Sequence, residues 1–270
     1  MYKAFELEIE SKRDIDFISV IPNGINNYRE QINDVRQSFI KNIQKNIQLK
    51  DEREVVDVSK LKELWFPQEK YDCFISHSHK DVDIANNLAC WLKNEFGLNA
   101  FVDSTVWGYS DDLLYRIDND YCLLENNGKR VFDYNKRNYT TTQIHIILVS
   151  ALREMIADCE CILFLNTDNS ISFDMSKEVT DSAWIFDELQ TIRFIQKKLP
   201  KREVKSVTDK SIPVKDSVPL FKYSVNKEIG KLAKIDIETL VEWKNRCRSN
   251  KLNDIPTHPL DVLYKIVKEE

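Results

Sequence analysis

Glycine is scarce in this chain. Only 5 of its 270 residues are glycine: Gly24, Gly97, Gly108, Gly128 and Gly230. No two stand close enough to form a GxGxxG or GxxxxGK loop, in which backbone lacking a Cβ approaches a phosphate. A Rossmann fingerprint and a P-loop are both excluded, so any nucleotide has to be held by side chains, a helix N-terminus or aromatic stacking. Positive charge is short too, with 39 Lys and Arg against 44 Asp and Glu and a net charge of −5. That balance lacks the basic footprint of phosphate-backbone binding, and no nucleic acid is expected as a partner. Long apolar runs are missing as well. The run Cys161 to Leu165 falls far below the roughly 20 residues a bilayer span needs. Met1 to Asp14 mixes acids and bases among its apolar residues, unlike a signal peptide, so neither a membrane nor secretion is expected.

Histidine numbers only 4, and no second pair of metal ligands accompanies the cysteines, so no metal is expected. The 6 cysteines are dispersed, and Cys73, Cys90, Cys159 and Cys161 sit inside apolar stretches, where a free thiol behaves as a small hydrophobe. This usage points to a reducing, cytoplasmic setting. Cys159 and Cys161 flank Glu160, a spacing that suits one face of a strand better than a CxxC redox or zinc element.

What is present is patterned. Phe5, Leu7 and Ile9 alternate with glutamates, which predicts a short, half-exposed strand. Ile25, Tyr28, Ile32, Val35, Phe39, Ile43 and Ile47 recur every three or four residues, predicting a long amphipathic helix that either packs on the main domain or serves as a self-association or partner surface. Pro67 stops a second helical pattern, placing a boundary near Gln68. From there strand and helix alternate. Tyr71 to Ser76 reads as a strand. Asp81 suits the N-cap of a helix burying Ile84, Leu88, Trp91 and Leu92, and Gly97 suits the end of that helix. Leu98 to Val102 is a second strand, followed by a polar and aromatic loop, Asp103 to Ser110, and a helical segment, Asp111 to Asp118. A polar excursion runs from Asn119 to Thr140, a helix from Thr141 to Ala157 and a buried strand from Cys159 to Leu165. Asp181 or Ser182 caps a helix through Lys198; Arg202 to Val207 and Pro219 to Tyr223 are further strand candidates. Helices near Ile237 to Cys247 and Leu260 to Val267 close the chain. The alternation predicts an α/β fold, a parallel sheet with helices on both faces. The expected division is an N-terminal strand and helical extension over 1–67, a main domain over 68–225 with an insertion around 119–140, and C-terminal helices over 226–270 packing on the main domain.

Ligands of open parallel sheets collect at the carboxyl ends of the strands. Three segments sit there. Ser76-His77-Ser78-His79-Lys80-Asp81 follows the first strand of the main domain and opens a helix, where hydroxyls, imidazoles and free N–H groups can face an anion. Asp103-Ser104-Thr105-Val106-Trp107-Gly108-Tyr109 follows the second. Ser182-Ala183-Trp184-Ile185-Phe186-Asp187-Glu188-Leu189 opens the helix after the third, with Trp184 and Glu188 one turn apart on one face.

These segments resemble the motifs of TIR (Toll/interleukin-1 receptor) domains. Asp72-Cys73-Phe74-Ile75-Ser76-His77-Ser78 followed by Asp81 looks like the first TIR motif. Leu98-Asn99-Ala100-Phe101-Val102-Asp103 resembles the second strand leading into the BB loop, and Ser182 to Leu189 is similar to the SxWCxxEL motif, with Ile185 in place of the usual cysteine. The resemblance covers roughly Gln68 to Tyr223. The wording Phe-Ile-Ser-His-Ser-His-Lys-Asp and Val-Asp-Ser-x-x-Trp-Gly-Tyr resembles bacterial TIR proteins of anti-phage defence, including the TIR subunits of Thoeris-type systems.

The resemblance implies a flavodoxin-like sheet and, for catalytic members, cleavage of the nicotinamide–ribose bond of NAD+ by the motif glutamate, here Glu188. The substrate-binding set expected around it is Ser76, His77, Asp103, Trp107, Tyr109 and Trp184, with NAD+ as substrate and no retained cofactor. The product implied is an ADP-ribose-derived signal read by a separate effector after a phage-derived trigger, with assembly into a homo-oligomer through TIR–TIR contacts. An NAD+-depleting toxin and a non-catalytic TIR adaptor are the alternatives.

Overall fold

The computed structural model describes residues 2–19, 70–102, 114–115, 117–126, 129–174, 177–195 and 223–269. The predicted helix Ile25 to Ile47, the boundary near Gln68, the loop Asp103 to Ser110 and the strand candidate Arg202 to Val207 lie outside the described residues. The described residues fall into two compact units, one drawn from residues 2–19, 70–102, 155–195 and 223–269 and the other within 114–154.

The first unit is built on a five-stranded sheet of Lys3–Glu8 (β1), Cys73–Ser76 (β2), Ala100–Val102 (β3), Cys161–Asn166 (β6) and Ala233–Ile235 (β10). Its order is β10-β1-β6-β2-β3, and every neighbouring pair is parallel. The α/β class and parallel sheet are as the alternation predicts. The place of β1 is not. Far from a half-exposed strand in a peripheral extension, it lies between β6 and β10, with Phe5, Leu7 and Glu6 all 0% exposed. The alternation that suggests one wet face arises because one buried face carries carboxylates, a pattern that periodicity cannot distinguish from solvent exposure. Cys161 to Leu165 is buried throughout, as an internal parallel strand must be.

Short helices and turns connect these strands. A capping box opens Lys12–Ile18 (α1): Asp14 N donates to Ser11 Oγ (3.3 Å) and Ser11 N to Asp14 Oδ2 (2.8 Å). After β2 comes a 3-10 turn, His79–Asp81, and then Val82–Phe96 (α2), which buries Leu88, Trp91 and Leu92 and leaves Ile84 half-buried. Gly97 ends it at φ +72°, with Gly97 N on Lys93 O (2.9 Å) and Leu98 N on Leu92 O (3.3 Å), the paired closure that needs a left-handed residue. An aromatic cluster joins the helices: Phe17 of α1 meets Trp91 of α2 at 5.8 Å between ring centroids. Trp243 of Ile237–Leu252 (α6) stacks on Phe96 at 4.0 Å.

Helices lie on both faces of the sheet. Tyr264 of Pro259–Glu269 (α7) stacks on Phe5 at 6.1 Å, on the face opposite Glu6. The Glu6 face is covered by Ala183–Phe194 (α4), whose Glu188 reaches Ser76. Between β6 and α4 the chain forms Ser172–Asp174 (β7) and Lys177–Thr180 (β8). These pair antiparallel with each other, and β8 pairs with Tyr223–Ser224 (β9); of the strand candidate Pro219 to Tyr223 only Tyr223 lies among the described residues, and it belongs to this small sheet. A single helical turn, Asn226–Ile229 (α5), follows β9.

In the second unit, a π-turn at Asp118–Cys122 leads into an antiparallel hairpin of Leu123–Asn126 (β4) and Lys129–Phe132 (β5), and then into the helix Tyr134–Asp158 (α3), which belongs to this unit as far as Glu154. The helix expected from Thr141 thus starts seven residues earlier, inside the predicted insertion. Asp133 Oδ1 accepts from Lys136 N (3.0 Å) and caps it, while Tyr134 and Tyr139 face solvent, so no apolar repeat marks its first turns. Arg137 Nε meets the buried carboxylate of Asp118 at 2.8 Å. Among the described residues, no helix is long and apolar enough to cross a membrane.

Candidate functional site

The path of the chain through the sheet selects a place for a ligand. From β1 it moves to β2 and on to β3 in one direction, returns to β6, and then passes β1 to reach β10. At the adjacent carboxyl ends of β2 and β6 the chain therefore leaves in opposite directions, the switch point at which open α/β sheets form their ligand crevice.

Ser76, the last residue of β2, stands at this crevice. Its Oγ donates to Glu188 Oε2 at 2.5 Å, and the two residues are 0% and 1% exposed. The contact joins residues 112 apart in the chain. It depends on where α4 begins and how it is tethered. Ser182 Oγ accepts from Ile185 N (3.2 Å) as N-cap, and Ser182 N donates to Thr180 Oγ1 (3.2 Å) at the end of β8. Further along, Arg193 Nη1 (2.7 Å) and Gln190 Nε2 (3.0 Å) both bind Glu228 Oε1 of α5. With both ends held, Glu188, less than two turns from the helix start, is aimed down onto the sheet.

His77 is buried beside Ser76, and its Nδ1 lies 3.3 Å from Ile75 O. A carbonyl only accepts, so this contact puts a proton on Nδ1. Trp184 is half-buried in the first turn of α4. The structure thus brings Ser76, His77 and Glu188 together and puts Trp184 one turn before Glu188. Asp103, Trp107 and Tyr109 lie outside the described residues.

Asp81 has a role the sequence pattern does not show. It occupies the N-cap position of α2 but makes no side-chain cap; Ser78 Oγ instead accepts from Lys80 N at 3.4 Å. The buried Asp81 carboxylate accepts from Thr167 Oγ1 (2.6 Å) and Asn169 Nδ2 (2.7 Å), in the turn after β6. Two strand-end loops on either side of the crevice are stapled by one carboxylate. The only sequence signal was polar: Asn166-Thr167-Asp168-Asn169-Ser170 directly follows a fully apolar strand.

A second buried carboxylate escaped the sequence reading. The register places Lys234, Glu6, Phe164 and Ser76 in one row across β10, β1, β6 and β2, on one face. Glu6 Oε1 accepts from Asn166 Nδ2 at 2.6 Å, and burial pushes the Glu6 carboxyl above its ordinary range.

Elsewhere, Glu160, His258 and Asp261 each bring a potential metal ligand within 4.8 Å of the others, all half-buried. Tyr264 OH donates to Glu160 Oε1 at 3.0 Å. This group adjoins the start of β6, at the sheet edge away from Ser76, and includes none of the predicted site residues. An open cavity of about 270 Å³ lined by Arg246, Ser249, Asn250, Thr257, Val262 and Lys265 is equally remote from them in sequence. All six cysteines are free, five of them buried, and burial raises the Cys159 thiol far above its ordinary value, as expected of apolar packing. Compared with known proteins, the chain matches no protein-family model, no curated protein and no solved structure.

Proposed function

We propose that this chain is a TIR-type enzyme of flavodoxin-like fold that cleaves the nicotinamide–ribose bond of NAD+ and releases an ADP-ribose-derived nucleotide as a signal in anti-phage defence. The observation that carries the reading is the pairing of Ser76 Oγ with the buried Glu188 carboxylate at the switch-point crevice. In TIR terms it joins the first motif to the SxWCxxEL-like helix. The β3-β2-β6 part of the sheet follows the 2-1-3 order of flavodoxin-like folds, while β1 takes the next position, a departure from that pattern.

The chemistry suits the residues. Breaking an N-glycosidic bond develops positive charge on the ribose, and a carboxylate beside the sugar stabilises it. Nicotinamide departs as a neutral base from a cationic ring and requires no general acid, so one carboxylate suffices. Glu188 meets the nicotinamide ribose, Ser76 fixes its rotamer, His77 lines the pocket and Trp184 adds an aromatic wall. NAD+ enters as a consumed substrate, consistent with a site that has no glycine loop for gripping a dinucleotide.

The test is NAD+ content and nucleotide mass in cells expressing the chain, with and without phage challenge, beside Glu188→Gln. A new ADP-ribose-derived mass that disappears in the variant is expected. ADP-ribose and nicotinamide alone would identify a depletion enzyme, and unchanged NAD+ with no new nucleotide in any arm would overturn the enzymatic reading.

A further inference from the structure

Glu6 is hard to explain as a fold residue. A carboxyl group that is 0% exposed in an internal strand is costly, and a leucine there would serve packing better. Its Oε2 is buried and has no hydrogen-bond partner among the described residues. Lys234 on the flanking β10, Glu8 on the same strand and Glu178 on β8 act on its charge, but the Lys234 ammonium is hydrogen-bonded to Glu8 rather than to Glu6. What Glu6 does hold is Asn166.

Asn166 is the last residue of β6, half-buried, at the mouth of the crevice. It lies two residues beyond Phe164, which pairs with Ser76, so its side chain falls on the Ser76 face. Strand spacing and rise put its Cα about 8 Å from that of Ser76, the scale of one nucleoside. The 2.6 Å bond from Nδ2 to Glu6 fixes which end of the amide faces inward. Oδ1 then points away from Glu6, and among the described residues it accepts no hydrogen bond.

We infer that Asn166 is a substrate-contacting residue of this site whose Oδ1 accepts a hydrogen bond from a ribose hydroxyl, and that Glu6 is the positioning residue that sets its amide. The inference rests on the reading of Glu188 as the NAD+-cleaving carboxylate. A ribose hydroxyl donates, Oδ1 can only accept, and an amide whose N–H end is committed to a buried carboxyl cannot flip to present its other end.

Two measurements on the full chain test it: steady-state NAD+ cleavage, and ADP-ribose titration calorimetry in a Glu188→Gln background. Asn166→Ala is expected to weaken ADP-ribose binding and raise KM about tenfold, the weight of one hydrogen bond, with a smaller change in kcat. Glu6→Leu, similar in volume, is expected to weaken binding to a similar extent by releasing the amide. Glu6→Gln keeps a carbonyl oxygen for Asn166 Nδ2 and is expected to restore most of that loss. Circular dichroism confirms that each variant is folded. Binding within twofold of the parent in Asn166→Ala would overturn the inference, as would loss in Glu6→Leu and Glu6→Gln alike. If Glu188→Gln abolishes cleavage while Asn166→Ala is silent, this inference alone fails. If Glu188→Gln cleaves NAD+ at the wild-type rate, both fall.

Discussion

The Ser76–Glu188 bond can be measured without reference to catalysis. Both partners are fully buried and 2.5 Å apart, so Ser76→Ala removes a hydrogen bond to a carboxylate and leaves Oε2 facing a methyl group. Hydrogen bonds to charged groups contribute about 1.5–3 kcal/mol, and an abandoned buried acceptor bears its full desolvation penalty, so the variant should lose about 2–3 kcal/mol. In a Glu188→Gln background the partner is a neutral amide, and the same change should cost about 1 kcal/mol. The double-mutant cycle therefore predicts a coupling of about 1–2 kcal/mol. Urea unfolding followed by the fluorescence of the 5 tryptophans reads it as shifts in midpoint at constant slope. If Ser76→Ala costs the same in both backgrounds, within about 0.3 kcal/mol, the hydroxyl does not hold the carboxylate and the site geometry is wrong.

Two further outcomes test the frame around the site. Leu7 is 0% exposed in a strand flanked on both sides, so Leu7→Ala should destabilise the chain by about 3 kcal/mol; a cost below about 0.5 kcal/mol would return β1 to the periphery. Asp236 caps α6, with Thr239 N at 2.8 Å and Thr239 Oγ1 at 2.6 Å on its Oδ1, and these bonds hold its carboxyl below the ordinary range. A lowered folded-state value means the cap's stabilisation is present above the unfolded pKa and is lost as pH falls through the folded one. Asp236→Ala should accordingly cost about 1 kcal/mol at neutral pH, and the difference from wild type should shrink in acid melts below the ordinary aspartate range. A difference independent of pH would mean that the cap does not act through its charge.

Much of the local structure was legible because local chemistry dictates it. Gly97 ends α2 where a left-handed residue is required, Ser182, one of the two cap candidates, caps α4, and the apolar run to Leu165 is an internal strand. The start of α3 was not legible, since its first turns are solvated and carry no apolar repeat. Asp81 was legible as a residue of the strand-end loop but not in its task, because the groups it binds, Thr167 and Asn169, are 86 and 88 residues away.

By itself the sequence determined the α/β class, the exclusion of glycine-loop nucleotide binding, and the short list containing Ser76, His77, Trp184 and Glu188. Composition and spacing carry the first two, the resemblance of the strand-end segments to TIR motifs carries the third, and none of them depends on contacts between distant segments. Only the tertiary structure decided that the first strand lies inside the sheet and that Glu6 and Asn166 share a face with Ser76. It alone fixed which carboxylates meet which hydroxyls. Those outcomes follow from strand order and register, which are set by long-range pairing. A glutamate alternating with leucine reads the same whether its face meets water or a buried row of polar groups.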